Sequence, residues 1–133
     1  HPEPNLLGTD PIECASIEAW ERFSEMNGLQ AIGEFFRNQT EALADRAMPG
    51  FSGVALMPEL VERGRKRAQW FYEQIEKRLG ESEYLGCGRY SAADITALCV
   101  VDFGKAVGLG IPEGHSQTER WYDTVSARPG TKV

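Results

Sequence analysis

The chain has 133 residues, with 20 acidic against 14 basic side chains and a net charge of -6 at pH 7. Surplus negative charge disfavours nucleic acid and anionic membranes as partners. No apolar run approaches the ~20 residues that span a bilayer, and no charged-apolar-small leader opens the sequence. These features predict one soluble, cytoplasmic domain, long enough to bury roughly two thirds of its unfolded surface. Cys14, Cys87 and Cys99 are odd in number and lack C-x-x-C spacing, so neither a zinc site nor a disulfide framework is expected. His1 and His115 both fall in loops and suggest neither a metal site nor a triad.

Apolar spacing and helix caps predict an all-α chain of four helices. Asp10 reads as an N-cap, Pro11 suits the first helical position, and Glu13 completes a capping box. The pattern then runs to about Thr40, with Trp20, Phe23, Met26, Leu29, Ile32 and Phe36 at helical spacing. About 30 residues at 1.5 Å rise make a rod of roughly 45 Å, longer than a compact domain of this size is wide. Leu29, Ile32, Phe35 and Phe36 cannot all face one neighbour, so this helix either carries an extra apolar face that needs cover or fills its own core on two sides. Gly28 and Gly33 inside it, each about 1 kcal/mol worse than alanine, predict a bend or a close backbone approach.

A second helix opens at Pro58 and carries Val61, Gly64, Ala68, Phe71, Ile75 and Leu79 to a stop at Gly80. Its basic cluster Arg63, Arg65, Lys66 and Arg67 reads either as a contact for the acidic face of a sister subunit or as a solvated face. Ser91 is the N-cap of a third helix and Asp94 its reach-back partner, with Tyr90 and Ile95 placed to close a hydrophobic staple. Loss of the Ser91 cap should cost about 1 kcal/mol. This helix runs from Ala92 to about Val107, stops at Gly108, and is apolar around so much of its circumference that it should be the buried central element. Cys99 within it reads as a small buried hydrophobe, whereas Cys87, in a glycine loop, reads as exposed. Asp102 must face a cavity or pair, with Arg120 and Arg128 as candidates. Ser116-Gln117-Thr118-Glu119 makes a third capping box, and the last helix ends before Pro129. The glycosylation pattern Asn38-Gln39-Thr40 is discounted for an intracellular chain.

The segment Tyr84-Leu85-Gly86-Cys87-Gly88-Arg89-Tyr90-Ser91-Ala92-Ala93-Asp94-Ile95-Thr96 resembles the capping-box and staple segment in the C-terminal helical domain of cytosolic glutathione transferases. The resemblance continues through residues 95–107, Ile111-Pro112-Glu113 and Trp121-Tyr122-Asp123-x-Val125-x-x-Arg128-Pro129. Pro4-Asn5-Leu6-Leu7-Gly8-Thr9-Asp10-Pro11 resembles the linker that leaves the family's thioredoxin-like domain. The likeness is nearest to the fungal and bacterial Gtt2-like branch, and departs from it at Cys87-Gly88, where Gly-Asp or Gly-Glu is usual.

The resemblance implies a linker over residues 1–9 and the helical domain over 10–133. It also implies glutathione as co-substrate with no metal, a small hydrophobic electrophile, and a homodimer. Glutathione would be bound mainly by the thioredoxin-like domain, which this chain does not contain, so the chain alone is expected not to be a competent enzyme. Conjugation needs a lowered thiol pKa and an apolar pocket holding the electrophile against the thiolate. For that pocket the resemblance implicates Met26, Gln30, Phe36, Arg37 and Thr40, with Met26 and Gln30 toward the other domain or subunit. Arg37 and Asn38 are its polar candidates for positioning a thiolate or water, and read equally as a solvated helix end. The other reading is a non-catalytic interaction module of the kind that docks translation factors and synthetases. The start at His1-Pro2-Glu3-Pro4 favours the transferase reading.

Overall fold

A computed structural model describes residues 5–131. Residues 1–4 of the expected linker and residues 132–133 of the expected domain lie outside the described residues. The chain is all-α: α1 (Pro11–Phe23), a π-helical segment (Ser24–Leu29), α2 (Gln30–Gln39), α3 (Pro58–Glu81), α4 (Ala92–Ala106) and α5 (Ser116–Ser126). The first three follow one another without a break over residues 11–39, so four rods stand where the periodicity predicts four helices. Among the described residues there is no strand, only an isolated bridge between Arg46 and Val54.

Asp10 caps α1, with Oδ1 accepting from the amides of Ile12 at 2.8 Å and Glu13 at 3.0 Å. Glu13 reaches one residue further back than a capping box requires. It accepts from the Thr9 amide (2.9 Å) and hydroxyl (2.7 Å), and from Arg89 at 2.8 Å. The Thr9 bonds are the chief cause of its carboxyl lying below the ordinary value.

Helices α2 and α3 form the most extensive helix pair, and Gly64 permits it. A Cβ there would stand 2.5 Å from the Ala31 carbonyl oxygen and 2.7 Å from the Phe35 amide. Gly28 does the same for the π-helical segment against α4, where a Cβ would meet Val100 Cγ1 at 2.6 Å. The close approach expected at the two helix glycines holds for Gly28 alone. Gly33 has nothing within 4 Å and lines a cleft instead.

Helix α4 is the centre of the fold, burying Ala93, Asp94, Ala97, Leu98, Val100, Val101 and Gly104. Both halves of the Ser91–Asp94 capping box are in place, and the Asp94 carboxylate, wholly buried, is a wider hub. Its Oδ2 accepts from the Ser91 amide and hydroxyl, each at 3.0 Å. Its Oδ1 accepts from the Leu85 amide at 3.0 Å and Trp121 Nε1 at 2.9 Å, tying the glycine loop and α5 to the start of α4.

One stripe of α4 stays uncovered: Ile95 is 38 % exposed, and Cys99 and Asp102 follow it on the same face. The cysteine expectations are therefore reversed, because Cys99 falls on this outer stripe and is exposed. Cys87 is buried, in a loop whose Gly86 packs directly on Ile17. Asp102 is exposed and takes neither Arg120 nor Arg128; it accepts from the Tyr122 hydroxyl at 2.7 Å.

The start of α5 is capped differently from the local box expected at Ser116. Glu76 of α3 accepts from the Gln117 amide (3.1 Å), the Thr118 amide (2.8 Å) and the Thr118 hydroxyl (2.8 Å). Burial by itself raises the Glu76 carboxyl, but these hydrogen bonds, with His115 nearby, outweigh it and hold it below its ordinary value. A depressed carboxyl contributes stability that is complete above its unfolded value and is lost as pH falls through the folded one. Glu76→Gln should therefore flatten the acid limb of the stability profile below about pH 5. Glu76→Ala should cost about 1 kcal/mol at neutral pH, both read by denaturant titration.

Candidate functional site

The C-terminal half of the long rod and the connection from α2 to α3 enclose a cleft of about 810 Å³. Leu29, Gln30, Gly33, Phe36 and Arg37 form one wall, Ala47, Met48, Pro49, Val54 and Met57 the other, and Phe103 of α4 closes the base. Phe36 and Phe103 meet edge to face, centroids 5.8 Å apart. The surface offered is apolar, aromatic and thioether-rich, suited to a flat or irregular apolar ligand.

The connecting loop is held in place by the two polar residues singled out as candidates for the chemistry. Arg37 Nε donates to the Ala47 carbonyl at 3.1 Å, and its Nη2 donates to the Arg46 carbonyl. Asn38 is buried; its Nδ2 donates to the Glu34 carbonyl at 2.9 Å and its Oδ1 accepts from the Met57 amide at 2.9 Å. Asn38 is thus no solvated helix end, and both side chains spend their polar atoms on backbone. Within the loop, Asp45 Oδ1 accepts from the Gly53 amide at 3.1 Å, and Gly50 and Gly53 adopt the left-handed region the turn needs.

Of the expected pocket residues, Gln30, Phe36 and Arg37 line the cleft, with Asn38 beside them. Met26 and Thr40 do not belong to its lining. Met26 is 54 % exposed one turn before it, and the Thr40 hydroxyl donates to its own helix at the Phe36 carbonyl. The loop wall was missed from sequence; the apolar residues Met48-Pro49 and Val54-Ala55-Leu56-Met57 in a connection with turn glycines were its signal. The Glu34 carboxylate at the cleft edge is neutralised by Arg63 at 2.8 Å and Arg67 at 3.3 Å. Arg65 and Lys66 pair with Glu62 on their own helix, so the basic cluster finds its acids within the chain.

A second apolar surface follows the rod. Phe23 packs edge to face on Trp20 and on Trp70, each at 5.3 Å. Trp70, Met26 and Leu29 stay 45 %, 54 % and 43 % exposed; of the four residues whose spacing raised the question of an extra face, Leu29 alone lies on this surface, whereas Ile32 and Phe35 fill the chain's own core and Phe36 lines the cleft. Among the described residues no group of histidine, cysteine or carboxylate side chains could hold a metal ion, and no helix is long and apolar enough to cross a membrane.

Three rods around a buried α4, with an apolar cleft at one end, define an α-helical domain with a ligand-sized opening. The family model of the glutathione S-transferase C-terminal domain matches residues 37–129, and the chain belongs to that family. Among solved structures, it is similar to a glutathione S-transferase domain-containing protein of Marinobacter aquaeolei VT8, with 26 % identity and a TM-score of 0.84. That match covers 96 % of this chain and 60 % of the other. A Gtt2-class glutathione S-transferase of Vibrio parahaemolyticus matches at 27 % identity and a TM-score of 0.79, covering 98 % of this chain and 58 % of its own. Gtt2 of Saccharomyces cerevisiae matches at 26 % and 0.85, covering 97 % and 60 %. The chain thus spans about three fifths of the structures it resembles. A sequence search of curated proteins finds no match.

Proposed function

We propose that this domain supplies the electrophile-binding half of a cytoplasmic, homodimeric glutathione transferase, with glutathione held mainly by a thioredoxin-like domain that precedes it. The observation that carries the reading is the apolar cleft, whose aromatic base and tethered loop offer room for a hydrophobic electrophile. Gln30, Phe36 and Arg37 belong to it, and Arg37 and Asn38 act on the electrophile as positioning residues, through the loop they hold. Thr40 serves the helix end, and Met26 belongs with Leu29 and Trp70 to the face offered to a second subunit. The domain alone lacks the groups that lower a thiol pKa and is inactive.

Calorimetric titration of glutathione into this chain, and into the same chain joined to its preceding domain, tests the division of labour. Binding in the joined form alone is expected; binding to the isolated helices would overturn it, and binding to neither would favour the interaction-module reading. In the joined protein, Arg37→Ala should raise KM for a chlorodinitrobenzene-type substrate about tenfold, the effect of loosening one cleft wall by roughly 1.4 kcal/mol. Unchanged turnover and KM would remove Arg37 from the pocket.

A further inference from the structure

Among the described residues, eight of the ten arginine side chains meet a carboxylate or a backbone carbonyl; Arg46 and Arg128 do neither, and of these two Arg46 is exposed while Arg128 is partly desolvated. Arg22, Arg63, Arg65, Arg67 and Arg89 each meet a carboxylate. Arg37, Arg78 and Arg120 donate to backbone carbonyls. Arg128 is half-buried, its guanidinium lies 3.8 Å over the Tyr90 ring, and no carboxylate among the described residues is within ion-pairing distance. Asp102 shares its hollow, yet Asp102 Oδ1 is taken by the Tyr122 hydroxyl at 2.7 Å. In a chain with 20 acidic side chains, a partly desolvated guanidinium stacked on an aromatic face is a prepared acceptor for one more carboxylate.

The surroundings point to where that carboxylate comes from. The hollow is rimmed by Leu6 of the linker and by Ile95 and Cys99 of the uncovered α4 stripe. The linker backbone is pinned at the same place, since the Ala92 amide donates to the Leu6 carbonyl at 2.9 Å and Arg89 Nη1 donates to the Asn5 carbonyl. The described linker therefore begins beside this hollow, and about two fifths of the length of each solved relative lies outside the part that this chain matches. A domain tethered there meets Arg128 at high effective concentration, which a freely diffusing partner does not.

We infer that Arg128, braced by Tyr90, is the socket for a carboxylate side chain of the preceding domain, which seats on the Leu6, Ile95 and Cys99 surface; this rests on the two-domain reading above. A guanidinium can pair a carboxylate bidentately, and the apolar rim of Leu6, Ile95 and Cys99 would shield such a pair from water. Docking there would cover the one face that the central helix leaves open.

Cys99 reports on this surface directly, because it is exposed in the domain alone. The test is the rate of maleimide modification of the Cys99 peptide, followed by mass spectrometry in the joined protein and in the isolated chain. Modification about tenfold slower in the joined protein is expected, with Arg128→Met restoring most of the rate and Arg128→Lys only part of it, as for loss of one charge-assisted bidentate contact. Arg128→Met in the isolated chain should leave the rate unchanged and lower the melting temperature only slightly, as loss of the Tyr90 stacking contact requires. Equal Cys99 rates in the two wild-type proteins, or protection that survives Arg128→Met, would overturn the socket. So would a slow rate in the isolated chain that Arg128→Met relieves, which would assign the carboxylate to the chain's own end. Glutathione titration of the same samples separates the readings: Arg128-dependent Cys99 protection without glutathione binding keeps the socket and sinks the transferase.

Discussion

Asp94→Ala is expected to cost about 3–5 kcal/mol of folding free energy, a large share of the roughly 5–15 kcal/mol that holds a domain of this kind. The two carboxylate oxygens divide four donors evenly: Leu85 N–H and Trp121 Nε1–H on Oδ1, Ser91 N–H and Ser91 Oγ–H on Oδ2. Truncation leaves all four without an acceptor in a site that admits no water, since Asp94, Ser91, Leu85 and Trp121 are all fully buried. Asp94→Asn, though nearly isosteric, should do little better. Turned toward Leu85 and Trp121 its NH2 group faces two N–H donors, and turned toward Ser91 it still faces the Ser91 backbone N–H, although the hydroxyl there can accept. Ser91→Ala removes one donor as well as the cap and should cost only about 1 kcal/mol. Denaturant unfolding of the three variants checks the order; Asp94→Asn within about 1 kcal/mol of the parent would show that the hub is not what holds α5 and the glycine loop to α4.

Gly64→Ala should destabilise by about 2 kcal/mol even though alanine favours a helix over glycine by about 1 kcal/mol. The added methyl would stand 2.5 Å from the Ala31 carbonyl oxygen and 2.7 Å from the Phe35 amide nitrogen, backbone atoms that move only if α2 moves. Displacing α2 also displaces Phe36 and Arg37, so the cleft should distort with the core. Gly80→Ala on the same helix is the internal control. Nothing lies within 4 Å of its added carbon, and the backbone there is not left-handed, so the substitution should stabilise by about 0.5–1 kcal/mol. Opposite signs in thermal melts would assign the Gly64 cost to the helix crossing; equal signs would refute it.

Local rules reached the structure wherever the interacting groups are close in sequence. Asp10 with Pro11, and Ser91 with Asp94, start their helices where the residues say, because a cap needs only the next three amides. The Ser116 box failed for the complementary reason. A carboxylate far upstream in the chain, that of Glu76, lies closer to the orphan amides of α5 than local geometry alone could foresee. The second helix likewise passes its expected stop at Gly80 and ends after Glu81, since Gly80 stays helical rather than turning left-handed. Phe36 and Gln30 were legible as pocket residues through family resemblance, but Met48, Val54, Met57 and Phe103 join them only when the loop folds back on Arg37 and Asn38.

By itself the sequence determined that this protein is all-α, that four rods begin near Asp10, Pro58, Ser91 and Ser116, and that it belongs with the helical domain of glutathione transferases. Those properties follow from helical period, caps and motif, which are carried by neighbours within a few positions. The tertiary structure alone decided which side of α4 is left open, so that Cys99 is exposed and Cys87 buried. It also decided that Arg37 and Asn38 hold a wall rather than meet solvent, and that Arg128 is left without an acid among the described residues. Each of these depends on which rod packs against which, and close crossings are permitted by single glycines, Gly28 against the Val100 and Phe71 side chains and Gly64 against the α2 backbone, whose role is visible only once those opposing atoms are in place.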